Sequence, residues 1–296
     1  MNAPESLEGR NAVVTGGTDG IGAATALRLR QRGADVMIIG RSREKAEALV
    51  ARAAALPAPG SLRAVVADVA EMAAVETVVD DLSRQLGSID LLVHAVGILI
   101  PYTAHTTEGI EKDFAVSYLS RFVFLETAAQ HQLLHPATRM INIAASAPKI
   151  PRVAQVEFAD LNEVEARVGM RSHGQAQLAN DLLTAQAPAR YGITAIGYGP
   201  GAVRTNIRRE LPTAVRVLLA PVFSLATRTP DQVAEQLVDL LSDPQLGDGT
   251  AHFFTRKGAF VVSGYVADAG RQRALLTSST ALVAKTRQRA PESEDR

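Results

Sequence analysis

The chain has no cysteine and no tryptophan, and its positive and negative charges balance. The absence of cysteine excludes disulfides, thiolate-bound metals and a cysteine nucleophile. Lys and Arg together number 31, as do Asp and Glu, so no net charge favours nucleic acid or an anionic membrane. The six histidines show neither HExxH nor HxxxH spacing, so we expect no metal site.

Signals for export and for membrane insertion are also missing. Residues 1–5 lack the basic region and apolar run of a signal peptide. The longest apolar stretch, 215–225, contains Arg216 and Pro221 and is too short to span a bilayer. We therefore expect a cytoplasmic protein without a transmembrane segment.

Short β-like runs alternate with helical stretches along most of the chain. Strands are predicted at 12–14, 35–39, 62–66, 89–93, 140–144 and 194–198, and helices at 21–32, 42–55, 71–86, 108–135, 172–191 and 230–241. The apolar runs lack a clean alternation, which is typical of parallel strands buried on both faces. This pattern predicts an α/β fold, a doubly wound Rossmann-type parallel sheet of about seven strands with helices on both faces.

A glycine-rich loop at 15–22 follows the first predicted strand and opens the first helix. Gly16 and Gly20 allow a tight turn and a close approach to a pyrophosphate, and Gly22 allows the helix to pack close to the strand. The helix N-terminus adds N–H donors and the positive end of its dipole. The other loop residues predicted to contact a nicotinamide dinucleotide are Thr18, Asp19 and Ile21. The alternative is a glycine-rich turn without a ligand.

The residues after the second and third strands bear on which dinucleotide is bound. Arg41 stands where an acidic residue would select NAD through the ribose 2′-OH, and an arginine there accommodates a 2′-phosphate. We therefore favour NADP(H) over NAD(H), although Arg41 would also be explained as a solvated surface charge. Asp68 and Val69 fit an adenine-contacting pair, and Asp68 would equally fit a cap on the next helix.

Several motifs in the right order resemble the short-chain dehydrogenase/reductase family over about residues 8–265. They are TGGTDGIG, GRSREKAEAL, IDLLVHAVGIL, INIAAS, SHGQAQLAN and YGPGAVRTNI. An extended gap before SHGQAQLAN and an apolar segment after the last motif are similar to the branch that contains retinol dehydrogenases. The resemblance implies cofactor contacts from Ala95, Gly97, Gln177, Pro200, Gly201, Val203 and Thr205.

The four catalytic positions that the resemblance implies all differ from the family pattern. The family's tyrosine and lysine, four residues apart on one helix face, correspond to His173 and Gln177. The family's serine corresponds to Ala145, next to Ser146, and its asparagine to Ser117. We expect His173 to serve in acid/base chemistry, because imidazole titrates near neutrality, and Gln177 to bond the ribose. The alternatives are a polar helix residue lining a cleft for His173 and a serine bonded to backbone for Ser146.

Family placement also implies the remaining organisation. We expect one domain at 1–283, a substrate lid at about 206–229 and a disordered tail at 284–296. The lid segment is strongly apolar, which suggests a lipophilic small-molecule substrate, or else a helix packed on the core or at a subunit interface. Members of the family often pair through long helices, so the resemblance implies a homodimer or homotetramer.

Three functional hypotheses remain open from the sequence. The first is an NADP(H)-dependent oxidoreductase with altered proton chemistry, which reduces a carbonyl or enone or oxidises an alcohol. The second is a non-redox cyclase, isomerase or lyase with a structural dinucleotide. The third is a nucleotide-binding pseudoenzyme or scaffold. Stoichiometric consumption of NADPH by a substrate would separate the first from the other two.

Overall fold

Eight strands form a single sheet in the computed structural model, which describes residues 6–100, 102–144, 155–162, 170–203 and 228–289. The strands are β1 Asn11–Thr15, β2 Asp35–Gly40, β3 Leu62–Val66, β4 Leu91–His94, β5 Arg139–Ile143, β6 Thr194–Gly199, β7 Ala251–Thr255 and β8 Gly258–Ala259. Their spatial order is β3-β2-β1-β4-β5-β6-β7-β8, with parallel pairing except between β7 and β8. The order reverses between β1 and β4, which is where doubly wound folds bind ligands.

Helices cover both faces of this sheet. They are α1 Gly20–Gln31, α2 Arg43–Ala54, α3 Met72–Gln85, α4, α5 Met170–Tyr191, α6 Pro230–Ser242, α7 Gly264–Ala267 and α8 Ala269–Arg289. Helix α4 consists of three contiguous segments, Lys112–Phe114, the π-helical turn Ala115–Leu119, and Ser120–Gln130. The Ser42 side chain accepts from the Lys45 N–H at the start of α2, which confirms the cap expected there.

Two apolar layers hold the helices on the sheet. Along β1, Val13 joins the layer that includes α3, α4 and α5, whereas Val14 joins the layer that includes α1 and α6. Met37 and Ile38 on β2 divide between the two layers in the same way. Successive residues of a strand point to opposite faces, so each strand needs apolar residues throughout. This burial explains why the central strands show no apolar–polar alternation in the sequence.

The structure differs from the sequence-based expectation at the C-terminal end. Strands β7 and β8 and helices α7 and α8 were not predicted, and the sheet has eight described strands rather than about seven. The tail expected to be disordered from residue 284 is helical as far as Arg289. Helix α8 has no strong apolar stripe, but Leu275 and Val283 are buried in the core and Arg287 pairs with Glu76 of α3 at 2.5 Å. Its order therefore depends on tertiary contacts.

Neither a membrane span nor a metal cluster is found in the described part of the chain. None of its helices is both long and apolar enough to cross a bilayer. No group of three or more His, Asp or Glu side chains within the same residues is arranged to hold a metal ion.

Candidate active site

The glycine loop between β1 and α1 forms a close-packed backbone cradle. Gly16 and Gly20 have φ angles of +69° and +54°, a region that side-chain-bearing residues rarely adopt. A methyl group added at Gly22 would lie 2.2 Å from the Gly16 carbonyl oxygen. One added at Gly16 would lie 2.7 Å from the Val96 nitrogen, in the loop after β4. Glycine at these positions lets two loops and a helix end approach each other, as a pyrophosphate site requires.

Asp19 begins helix α1 at this loop. Its carboxylate accepts from the Gly20 N–H at 2.7 Å and pairs with Lys45 of α2, while its carbonyl accepts from the Ala23 N–H at 3.2 Å. The next two N–H groups, on Ile21 and Gly22, precede the helical hydrogen-bond ladder. They are the donors that a dinucleotide's phosphates would use at the positive end of the helix.

Basic side chains gather where β2 meets α2. Arg41 is exposed and forms no ion pair within the described residues. Arg43 pairs with Glu47 at 3.8 Å along the same exposed helix face. An exposed guanidinium at the end of β2 fits a 2′-phosphate, which is the role predicted for Arg41.

The structure answers the question raised for Asp68. Asp68 is exposed, and its carboxylate accepts from the Ala70 N–H at 3.0 Å in the turn before α3. The N-terminus of α3 is capped from elsewhere, since Glu108 accepts from the Met72 N–H at 2.8 Å. Asp68 therefore shapes the turn that carries Val69 and does not cap the helix.

The loop after β4 lies beside the glycine loop. The Ala95 N–H donates to the Thr15 carbonyl at 3.0 Å, continuing the pairing of β4 with β1. His94 is fully buried, and one of its ring nitrogens, Nδ1, lies 3.2 Å from the Thr15 hydroxyl. Burial, reinforced by the charge of Arg121, holds the pKa of His94 well below its usual value. His94 is therefore a neutral structural residue at this edge.

Arg121 of α4 lies beneath the loops that follow β4 and β5. Its Nη2 donates to the Val96 carbonyl at 2.6 Å and to the Ile143 carbonyl at 3.0 Å. The side chain is 2% exposed, and burial lowers the pKa of Arg121 to about 9. Its Nε and Nη1 have no hydrogen-bond partner in the described part of the chain. This buried cation joins the carboxyl ends of β4 and β5, and sequence reasoning missed it.

Ser117, in the π-helical turn of α4, connects the loop after β4 to Asp113. Its hydroxyl accepts from the Ile98 N–H at 3.3 Å and donates to Asp113 at 2.7 Å. Its carbonyl accepts from the Asn180 side chain at 2.7 Å, which ties α4 to α5. Single π-helical turns occur often at functional sites.

His173 at the start of α5 meets Asp113 of α4. Nδ1 of His173 lies 3.0 Å and 3.2 Å from the two carboxylate oxygens of Asp113. The Asp113 side chain is 1% exposed and that of His173 is 17% exposed. Sequence reasoning found His173 and Ser117 but missed Asp113. Its signal was the four-residue spacing of Asp113, Ser117 and Arg121 on one face of a largely apolar helix.

The remaining predicted residues fall in two groups. Pro200, Gly201 and Val203 follow β6 at the same carboxyl edge of the sheet, with Gly201 at φ +69° and Val203 buried. Gln177 is buried one turn after His173 on α5. Outside the described residues lie Ala145, Ser146, Thr205 and most of the expected lid, 206–227. The structure thus brings the glycine loop, the 95–98 loop, Ser117 and His173 into one continuous set of contacts.

This fold, with the glycine loop at the carboxyl edge of its sheet, defines a dinucleotide-binding oxidoreductase scaffold. Residues 10–159 match the short chain dehydrogenase family, and the chain belongs to that family. Within it, the chain is retinol-dehydrogenase-like, as its relatives show. Human retinol dehydrogenase 14 is 27% identical over 272 residues, covering 85% of this chain and 79% of the relative. Human polyprenol dehydrogenase is 25% identical over 253 residues, covering 82% of this chain and 76% of the relative.

A solved structure agrees with this assignment. A short chain dehydrogenase from Burkholderia cenocepacia J2315, in complex with NADP, is 27% identical with a TM-score of 0.64. The match covers 85% of this chain and 97% of that chain. The comparison supports a nicotinamide-dependent oxidoreductase fold.

Proposed function

We propose that this chain is an NADP(H)-dependent reductase or dehydrogenase that acts on a lipophilic small molecule. Two relatives are named for retinol and polyprenol, which are both apolar alcohols. The strongly apolar expected lid at 206–229 is consistent with such a substrate. The basic residue Arg41 and the relative solved with NADP support the phosphorylated cofactor.

The chain's own residues fit a dinucleotide. The glycine cradle and the free N–H groups at the start of α1 would hold the pyrophosphate, and Arg41 would meet the 2′-phosphate. The backbone at Ala95 and Gly97 would lie along the adenosine ribose, and Gln177 would bond the nicotinamide ribose. The turn from Pro200 to Val203, with Thr205, would face the carboxamide. When bound, the cofactor supplies or accepts the hydride.

The observation that carries the proposal is the position and partner of His173. His173 takes the place of the family's tyrosine, and its Nδ1 is held by Asp113, so its Nε2 is left for the substrate oxygen. During reduction Nε2 gives a proton to the oxygen of the new alcohol, and during oxidation it removes that proton. Imidazole serves both directions near neutral pH because its ordinary pKa is about 6.5.

The test is binding and turnover on the purified protein. We expect NADPH to bind more tightly than NADH, and NADPH to be consumed in proportion to an apolar ketone, aldehyde or enone. His173→Ala should lower kcat by about 10²- to 10⁴-fold, the usual contribution of a general acid, with the affinity for NADPH unchanged. His131→Ala, at a surface histidine, is the matched control and should keep wild-type turnover.

Other outcomes would favour the other hypotheses. Turnover that needs bound dinucleotide but leaves it unoxidised and unreduced would support a cyclase, isomerase or lyase. Tight dinucleotide binding without turnover of any apolar carbonyl or alcohol would support a pseudoenzyme or scaffold. Failure to bind either dinucleotide would contradict the proposal entirely.

We also propose a homodimer or homotetramer in the cytoplasm, with one domain at 1–283. The long helices α4 and α5 are the pairing surface that family membership suggests. Light scattering on the purified protein measures the oligomeric mass directly, and a monomer at micromolar concentration would contradict this part of the proposal.

A further inference from the structure

A buried carboxylate lies at the centre of the site, although none of the family's catalytic positions calls for one. Asp113 is 1% exposed and forms hydrogen bonds with two side chains, the Ser117 hydroxyl and Nδ1 of His173. A buried carboxylate is destabilising unless it is paired and hydrogen-bonded. These two partners supply that compensation, one neutral and one able to carry a positive charge.

The contact with Nδ1 has a direct chemical consequence. A carboxylate that accepts Nδ1–H places the proton of a neutral imidazole on Nδ1 and leaves Nε2 as the basic nitrogen. When Nε2 also gains a proton, the nearby negative charge stabilises the imidazolium. The carboxylate therefore selects both the tautomer and the ring orientation of His173.

Neighbouring residues hold this pair in place from both helices. Glu111, just before α4, accepts from the Ser172 hydroxyl at 2.5 Å and from the Phe114 N–H at 2.7 Å. Ser172 directly precedes His173, so this link fixes the start of α5 against α4. The Asn162 side chain accepts from the Glu111 N–H at 2.8 Å and donates to the Gly109 carbonyl at 2.9 Å.

We propose that Asp113 is the positioning residue for His173, and that Ser117 holds Asp113 in turn. The inference rests on the proposed oxidoreductase function and adds the residue that orients the proton donor. In reduction, the Nε2–H bond breaks and a new O–H bond forms on the alcohol. The imidazolium becomes a neutral imidazole, whose Nδ1–H still donates to the Asp113 carboxylate. In oxidation the same proton returns to Nε2. Asp113 exchanges no proton in either direction. The proton that leaves Nε2 neutralises the negative charge that the hydride brings to the substrate oxygen, so proton and charge balance between His173 and the substrate.

Among the described residues, hydrogen bonds link two titratable groups to His173 or to its neighbour Ser172. From α4 and the residue before it come Asp113, in contact with the ring, and Glu111, one hydrogen bond removed through Ser172. On α5 itself Arg171 is exposed to solvent. Helix α7 packs against α5 and carries Tyr265, whose hydroxyl accepts from the Val156 N–H at 3.2 Å. Asp113 is therefore the group whose removal should act most strongly on His173.

The experiment replaces Asp113 by asparagine, which keeps the size and removes the charge. Nitrogen NMR of protein labelled at histidine follows the tautomer and titration of His173 without cofactor or substrate, and the pH profile of kcat follows its role in turnover. In Asp113→Asn the acceptor for Nδ1–H is no longer a carboxylate, so the contact that fixes the tautomer of His173 is weakened. We expect the neutral ring to lose its Nδ1–H preference and kcat to fall by about 10²- to 10⁴-fold. NADPH affinity should stay within about twofold, well under the tenfold that 1.4 kcal/mol represents.

A matched control is available on the surface. His131 of α4 lies 2.6 Å from Asp80 of α3, but those side chains are 39% and 46% exposed. Exposed pairs contribute little because water screens them. Asp80→Asn should therefore leave both kcat and the His173 signals unchanged.

Two further variants separate positioning from folding. Ser117→Ala leaves the Asp113 carboxylate and removes one of its hydrogen bonds, so it should retain the Nδ1–H tautomer with a smaller loss of kcat.

Should Asp113→Asn fail to fold, Asp113→Glu keeps the charge, and it should retain the tautomer with a partial loss of kcat. An unchanged His173 tautomer in Asp113→Asn would overturn the pairing. A changed tautomer with unchanged kcat would overturn the positioning role.

Failure of the proposed oxidoreductase function would give a different result from failure of the pairing between His173 and Asp113. A wild-type protein that shows the Asp113-dependent tautomer by NMR but never oxidises or reduces a nicotinamide would contradict the oxidoreductase proposal. The pairing of His173 and Asp113 would stand in that case, and its proton chemistry would belong to a non-redox reaction.

Discussion

The end of this site proposed to bind the cofactor (the cofactor end) and the end proposed to transfer a proton (the proton-transfer end) lie at the same sheet edge. They are built from different parts of the chain. The cofactor end is made mostly of backbone, with glycines at 16, 20 and 22 and first-turn N–H groups. The proton-transfer end is made of side chains, chiefly Asp113 and His173. Backbone geometry tolerates few substitutions, whereas a proton donor can be supplied by any side chain of suitable pKa and reach. On the proposed assignment, this is why one end would follow the family pattern while the other would depart from it.

The two ends meet in the loop after β4. Gly16 packs against the Val96 backbone, and the Ile98 N–H donates to Ser117, which in turn donates to Asp113. A residue at one end is therefore separated from a residue at the other end by three or four contacts. If the two ends are independent in function, substitutions should affect either dinucleotide binding or proton transfer, but not both.

At the cofactor end, the largest effect is expected from Gly22→Ala. The added methyl group would lie 2.2 Å from the Gly16 carbonyl oxygen, and backbone cannot move aside as a flexible side chain can. We expect NADPH affinity to fall by about 100-fold or more and the free energy of unfolding to fall by about 1–3 kcal/mol. Isothermal titration and denaturant unfolding measure the two quantities.

A second glycine provides the control for that substitution. Gly87, after α3, has no atom within 4 Å of an added methyl group, and its φ is outside the positive range. Gly87→Ala should leave NADPH affinity unchanged and stability unchanged or slightly higher. Equal effects from the two substitutions would show that the cradle is not built as described.

The sequence predicted the glycine loop and the Ser42 cap but not the contact between Asp113 and His173, for a physical reason. The glycine loop and the Ser42 cap are local features, so short stretches of sequence determine them. The contact of His173 with Asp113 joins residues 60 positions apart, and it depends on which faces of α4 and α5 meet. Propensity and spacing along one helix do not determine that choice. The same limit applies to α8, whose order comes from packing rather than from its own apolar pattern.

A smaller effect is expected from His94→Asn, between the two ends. Burial and Arg121 lower the pKa of His94 below its ordinary value of 6.5, so the unfolded chain binds a proton there before the folded chain does. His94 therefore makes the wild-type protein lose stability as pH falls below about 6.5, at up to about 1.4 kcal/mol per pH unit. Asparagine at this position does not titrate and can still bond the Thr15 hydroxyl. The free energy of unfolding of the variant should therefore fall less steeply as pH falls.

Denaturant unfolding between neutral and mildly acidic pH measures this difference. His131→Asn, at a surface position, is the control and should keep the wild-type slope. If His94→Asn and the wild type lose stability in parallel, His94 is protonated or exposed in the folded protein. A loss of NADPH affinity in His94→Asn at neutral pH would show that this boundary residue also serves the cofactor end.

The smallest effect is expected from Arg41→Ser, which sharpens the identity of the cofactor rather than disrupting the site. Arg41 is exposed, so its attraction for a 2′-phosphate is partly screened by water and salt. We expect NADPH affinity to fall by roughly fivefold to tenfold, or about 1 kcal/mol, with NADH affinity nearly unchanged. Arg43→Ser, two residues away and paired with Glu47, is the matched control and should change neither affinity by more than a small factor. Because the contact is ionic, the Arg41 effect should shrink as salt concentration rises. An Arg41→Ser variant that binds both dinucleotides as the wild type does would assign Arg41 to the solvated surface and leave the 2′-phosphate to another group.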